Sequence, residues 1–205
     1  MIETPHAFHR RVLPRSVDLL DFAARVATEA HDGQFRKYTG EPYVVHPLRV
    51  GRIVAGVFPS ADMVCAAYLH DTVEDTDLTV EDIATMGFGT YVAQLVNELT
   101  DVSRASDGNR EQCKAIDREH SSNASLRGKL IKLADLLDNT CSIVTHDPSF
   151  ARVYMMEKAL LVQKLDFLPT RGLSPLEIGH RMLHDRALEV IRAYDEAHED
   201  WELPV

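Results

Sequence analysis

An all-α fold, packed as one non-regular bundle of helices, is what the sequence predicts. Apolar residues recur at helical spacing through almost the whole chain. Only scattered short runs, such as Tyr43-Val44-Val45, have strand character. No internal repeat, low-complexity tract or long linker divides the 205 residues. That length suits a single core. We expect one domain over residues 1–205, with a core at about 15–168 and a C-terminal helix at about 175–197.

Each element has a local cause. Pro14 suits a first helical turn, and Leu19, Phe22, Ala23, Val26 and Ala30 follow at helical spacing until His31-Asp32-Gly33-Gln34. The polar run Arg36 to Pro42, with Gly40, reads as a loop. Pro47 is expected to start a helix that Pro59 stops, and Ser60 to cap a third that reaches about Val73. Thr79 opens a short helix whose Glu81 and Asp82 suit the positive end of its dipole. Gly87 and Gly89 separate it from a helix over Tyr91 to Leu99. Residues 101–125 are the least periodic, with a short helix at most around Ala115-Ile116. Leu126 to Cys141 is helical. Pro148 starts the next helix, broken by Pro169 and Gly172, and a last one spans about Pro175 to Ala197.

The chain has 22 Lys and Arg against 32 Asp and Glu, a net charge of −10. That balance argues against non-specific binding to nucleic acid or to a membrane, which needs a basic face. It leaves room for a local cationic site for small anions. Cys65, Cys113 and Cys141 are far apart and read as reduced thiols. There is no membrane-length apolar run and no apolar signal core after Met1. The expectation is a soluble, cytoplasmic protein, with oligomeric state left open.

The chemistry concentrates in Met63 to Thr76. Seven residues without formal charge, Met63 to Leu69, precede His70, Asp71, Glu74 and Asp75. An apolar helix of this kind is buried on most sides and delivers those groups to the interior or to a cleft wall. Three crowded carboxylates need a counter-charge or must take up protons. A divalent cation supplies that charge, and imidazole with carboxylate is ordinary transition-metal ligation. The competing reading is a helix end running into a solvated acidic turn.

A second stretch, Gly128 to Asn139, sets Leu126, Leu130, Leu133 and Leu137 on one face and Lys132, Asp135 and Asn139 roughly opposite. The narrow polar stripe faces either a pocket or water. His46, before Pro47, can point into a cleft. Arg36-Lys37 offers two adjacent cations suited to phosphate or to stacking on a purine. No Gly-x-Ser-x-Gly elbow or phosphate-binding Gly-rich loop is present. His180 and His184 lack the Glu of a His-Glu-x-x-His site and read as surface or packing residues.

Four ordered segments carry a resemblance. Ala30 to Lys37, Gly40 to Pro47, Leu69 to Thr76 and Lys132 to Asn139 resemble the hydrolase domain of RelA/SpoT homologues, most of all the stand-alone small alarmone hydrolases. The resemblance covers about residues 15–168. It implies an all-α HD-domain fold and removal of the 3′-diphosphate of guanosine tetra- or pentaphosphate with Mn²⁺. It further implies that His46, His70, Asp71 and Asp135 hold the metal and that Glu74 and Asp75 orient and activate the attacking water. By the same resemblance, Arg36 and Lys37 contact guanine and phosphates, and Asn139 contacts the nucleoside. Tyr154 is a candidate to stack on a base.

The resemblance departs at Leu136 to Ser142, where basic residues common in the family are missing. That keeps two other readings open: an HD phosphohydrolase for another phosphorylated purine nucleotide such as NADPH, and a catalytically silent nucleotide-binding partner protein. The chain is too short to add the family's synthetase domain, so hydrolysis without synthesis is expected.

Overall fold

A computed structural model describes residues 18–167 and 172–198. The expected turn at Pro14 and the break at Pro169 lie outside the described residues. Helix α1 (Leu19–Ala30) is capped by the Asp18 carboxylate on the Leu20 N–H and buries Phe22, Ala23, Val26 and Ala27. The loop after it is pinned rather than loose. Phe35 pairs with Pro42 in an isolated antiparallel bridge. Arg36 N–H donates to Glu41 O at 2.9 Å, and Tyr43 N–H to Gln34 O at 2.9 Å.

Tyr43-Val44-Val45 is not a strand. Val45 and His46 N–H groups donate to Pro42 and Tyr43 carbonyls at 3.1 and 3.0 Å, so the chain is already turning. Helix α2 (Val45–Val57) therefore starts two residues before Pro47, which sits in the first turn, where its missing N–H costs nothing. His46 is thus inside the helix, not ahead of it.

Helix α3 (Ala61–Leu69) stops short of the expected Val73. The Ser60 side chain makes no capping bond, although its extended backbone starts the helix. At the other end, His70 Nδ1–H donates to Ala67 O at 2.8 Å and Thr72 Oγ1–H to Leu69 O at 2.7 Å. These side chains take carbonyls that the helix would otherwise use, and the chain turns at His70-Asp71 into α4 (Thr72–Asp75).

Helix α5 (Val80–Ile83) opens with a reciprocal capping box between Thr79 and Asp82. A wide turn over Ala84–Phe88, with Gly87 at φ +106°, leads to α6 (Thr90–Leu99). The stretch read as least periodic holds a full helix, α7 (Arg110–Ser122), with a capping box between Asn109 and Gln112. Helix α8 (Leu126–His146) runs five residues past Cys141. Asp147 ends it and caps α9 (Pro148–Leu165), and α10 (Pro175–Glu196) follows the Ser174–Glu177 capping box.

The core is built around α3, whose Met63, Cys65, Ala66, Ala67 and Leu69 are buried. Helices α1, α2, α6 and α8 pack around it, and α9 and α10 close over α8. His180 and His184 are packing residues. Their Nε2 atoms lie 2.9 and 3.1 Å from the Leu165 and Val162 carbonyls, tying α10 to the end of α9. No helix among the described residues is long and apolar enough to cross a membrane.

Candidate metal centre

Three separate elements bring ionisable groups to one point: His46 from the first turn of α2, His70 and Asp71 from the turn after α3, and Asp135 from the middle of α8. His46 Nε2 lies 3.1 Å from Asp135 Oδ1 and 3.5 Å from Asp71 Oδ2. His70 Nε2 lies 3.1 Å from Asp71 Oδ1 and 3.7 Å from Asp135 Oδ1. One ligand atom each from His46, His70 and Asp135 lies within 4.8 Å of the others.

The hydrogen bonds behind the imidazoles decide what the cluster wants. His46 Nδ1 is 2.7 Å from Asp138 Oδ2, and His70 Nδ1 is 2.8 Å from Ala67 O. Both partners are acceptors, so both Nδ1 atoms carry the proton. In the neutral rings the Nε2 lone pairs then face carboxylate oxygens, acceptor against acceptor. His70 Nε2 is buried without a hydrogen-bond partner. Only a proton or a cation between these atoms resolves that arrangement. Bonds of about 2 Å to one centre place ligand atoms about 3–4 Å apart, so the cluster fits a metal ion after a small contraction.

The charges agree. Burial works against a charged His46, but Asp135 and Asp138 outweigh it and hold its pKa up at about 9. His70 is raised too: burial opposes, and Asp71 and Asp135 prevail. Burial pushes Asp135 up, but His46 and His70 hold it well below the usual carboxylate range.

Several residues behind this cluster are not assigned a role from the sequence. Asp138, besides orienting His46, receives Arg49 Nε at 2.7 Å and a second guanidinium nitrogen at 3.2 Å. Arg49 also donates to Glu41 at 2.8 Å. Tyr43 O–H donates to Asp71 Oδ2 at 2.8 Å, holding that carboxylate. His31, buried, bonds Gln34, whose amide donates to the Asp75 carbonyl at 2.9 Å. The two ion pairs of Arg49 match in charge, but 89 residues separate it from Asp138.

Glu74 and Asp75 lie one turn beyond His70-Asp71. Glu74 accepts the Asp101 N–H at 3.2 Å. Burial, then the Asp101 carboxylate, pushes Glu74 up to about 7. Asp75 is raised by burial and then by Asp71. Glu74 thus sits near a proton-accepting range at neutral pH, with Asp75 shifted in the same direction.

Arg36 and Asn139 join the site directly. Arg36 donates to Asn139 Oδ1 at 2.8 Å and to Ser142 at 3.2 Å, and Asn139 Nδ2 donates to Asp135 Oδ1 at 2.7 Å. Lys37 does not join it. Its exposed side chain turns to Tyr38 and Asp147, 3.2 and 3.7 Å away. Tyr154, expected as a base-stacking surface, is a core residue whose hydroxyl faces the Leu136 carbonyl at 3.5 Å. It belongs to the apolar seam between α8 and α9, which helical spacing alone does not distinguish from a cleft wall.

Comparison with known proteins agrees with this architecture. The HD-domain family model matches residues 23–159, which contain every residue of the cluster. Guanosine-3′,5′-bis(diphosphate) 3′-pyrophosphohydrolase MESH1 of Danio rerio is 40% identical over 116 residues, 55% of this chain and 62% of that protein. The Homo sapiens protein of the same name is 40% identical over 126 residues, 60% of this chain and 66% of its own length. The chain thus spans just under two thirds of these relatives. A solved structure described as a metazoan orthologue of SpoT that hydrolyses ppGpp superposes with a TM-score of 0.66 and 28% identity, covering 85% of this chain and 98% of that one. With its helical bundle, its His/Asp cluster and this match over most of its length, the chain belongs to the HD-domain family.

Proposed function

We propose that the chain is a metal-dependent phosphohydrolase that converts guanosine 3′,5′-bis(diphosphate) to GDP and pyrophosphate. The facing lone pairs of His46 and His70 against Asp135, one turn from Glu74 and Asp75, carry this reading. Relatives bearing that activity in their names support the substrate. His46, His70, Asp71 and Asp135 are the ligands we assign, and Mn²⁺ the ion, consistent with a mixed nitrogen and oxygen donor set. A bound divalent ion lowers the pKa of water and neutralises charge developing on phosphate.

The protein's own groups do the rest. Asp138 and the Ala67 carbonyl fix the two rings with Nε2 turned inward. Tyr43 keeps the Asp71 carboxylate from swinging away. Glu74 or Asp75 takes a proton from the attacking water; burial raises both pKa values, that of Glu74 to about 7. Arg36 and Asn139 bind the nucleoside side of the substrate. Lys37, exposed beside Arg36, supplies cationic charge at the entrance.

Incubation of the purified protein and Mn²⁺ with ppGpp tests this, with release of GDP and pyrophosphate expected. No release in any divalent metal overturns it. Preference for NADPH in the same substrate panel transfers the activity to another nucleotide. Tight ppGpp binding without turnover makes the chain a binding protein.

A further inference from the structure

A second cluster lies one wall away from the candidate metal centre and takes no part in the chemistry above. Helices α7, α8 and α9 enclose a pocket lined by Lys114, Arg118, Lys132 and Lys158, with Asp101 and Asp117 among its acidic groups. The carboxylates here are already occupied. Asp101 holds Lys114 at 2.7 Å and Lys132 at 3.5 Å. Asp117 accepts from the Val102 and Ser103 N–H groups and the Ser103 hydroxyl at 2.8–3.0 Å. Glu157, also on the wall, is taken by Arg110 in a two-pronged pair at 2.7 and 2.9 Å.

Lys158 is left over. Its ammonium lies 5.0 Å from the Tyr154 ring centroid and has no carboxylate within ion-pair distance among the described residues. Burial holds its pKa below the ordinary lysine range. A desolvated cation without a counter-charge is costly, and in a purely structural salt network it would be paired. Its place in a pocket shared with two more lysines, inside a protein of net charge −10, marks a local sink for anions.

Position says which anion. On α8, Asn139, Asp135 and Lys132 follow one another at one-turn spacing. Asn139 touches Arg36, Asp135 belongs to the ion cluster, and Lys132 enters the pocket. Asp101, on the pocket wall, donates its N–H to Glu74. The pocket therefore begins where the reacting centre ends, on the side away from Arg36 and Asn139. We propose that Lys158, with Lys114 and Lys132, receives the terminal phosphate of the substrate's 3′-diphosphate, so that the enzyme selects a diphosphate over a monophosphate ester. The identity of the ligand rests on the hydrolase reading; the anion site itself does not.

Two measurements separate the ideas. In chelator, without metal, calorimetry should show inorganic pyrophosphate binding the full-length protein. Lys158→Met should weaken it about tenfold, the scale of one charged hydrogen bond, and Lys158→Arg should retain it. Lys158→Gln repeats the test if the methionine variant unfolds by circular dichroism. Absence of pyrophosphate binding to the unaltered protein, or equal affinity in the Lys158 variants, overturns the proposal. In Mn²⁺, kcat/KM for ppGpp should fall about tenfold further in Lys158→Met than kcat/KM for the analogue with a single 3′-phosphate; equal losses also overturn it. If no nucleotide is turned over but the Lys158 effect on pyrophosphate persists, the hydrolase reading fails and the anion pocket stands.

Discussion

Asp138 shows how much a single side chain behind the cluster can decide. It fixes the ring of His46, and is itself held by Arg49, which Glu41 holds in turn. Asp138→Ala should lower Mn²⁺ affinity about 10–100-fold, measured by titration, with little change in helicity. Asp71→Ala should abolish turnover while circular dichroism stays nearly the same; unchanged turnover would remove Asp71 from the site. His46 gives a pH test. Its pKa rises from 6.5 unfolded to about 9 folded, so the stabilisation is complete below about 6.5 and disappears as pH climbs through 9. Metal-free protein should lose up to about 3 kcal/mol over that range in denaturant titrations. His70 and Asp71 stood out in sequence because an apolar helix ends abruptly in them, whereas His46 and Asp135 were singled out as ligands only by the resemblance of the ordered segments. Asp138 was not, because in one dimension it is only a carboxylate where a cation was expected. Its meaning comes from Arg49 and His46, on another helix.

At the scale of elements, sequence periodicity placed most helices within a few residues, and its failures are local. Val44 and Val45 read as strand because β-branched residues favour it, yet Pro47 makes a better first turn than a strand interior. Helix α7 was missed because few of its residues are apolar. Its Asn109–Gln112 capping box and its ion pairs to Asp101 and Glu157 hold it instead. Helix packing also sets a steric test. A methyl group at Gly179 of α10 would come within 2.9 Å of the Val57 carbonyl at the end of α2. Gly179→Ala should therefore destabilise the protein by about 1–3 kcal/mol, although alanine is the better helix former. Thermal melting checks it, and a raised midpoint would show that α10 and α2 are not in tight contact.

The whole molecule is more than the segment that the family model covers. Helix α10 lies beyond residue 159, yet it buries Leu183, Ala187, Ile191 and Tyr194 against its neighbours. Burial of each large apolar side chain stabilises by about 1.5–3 kcal/mol. A chain ending before Ser174 should melt at a much lower temperature or bind a hydrophobic dye; an unchanged midpoint would make α10 an appendage. The central placing of α3 has one more effect. Its carboxyl end stops at His70, inside the His/Asp cluster, so its aligned peptide dipoles finish there with about half a negative charge. Unlike ionisable side chains, peptide groups do not titrate. The middle of the bundle therefore keeps a fixed negative end that offsets part of the positive charge its two imidazoles take on in acid.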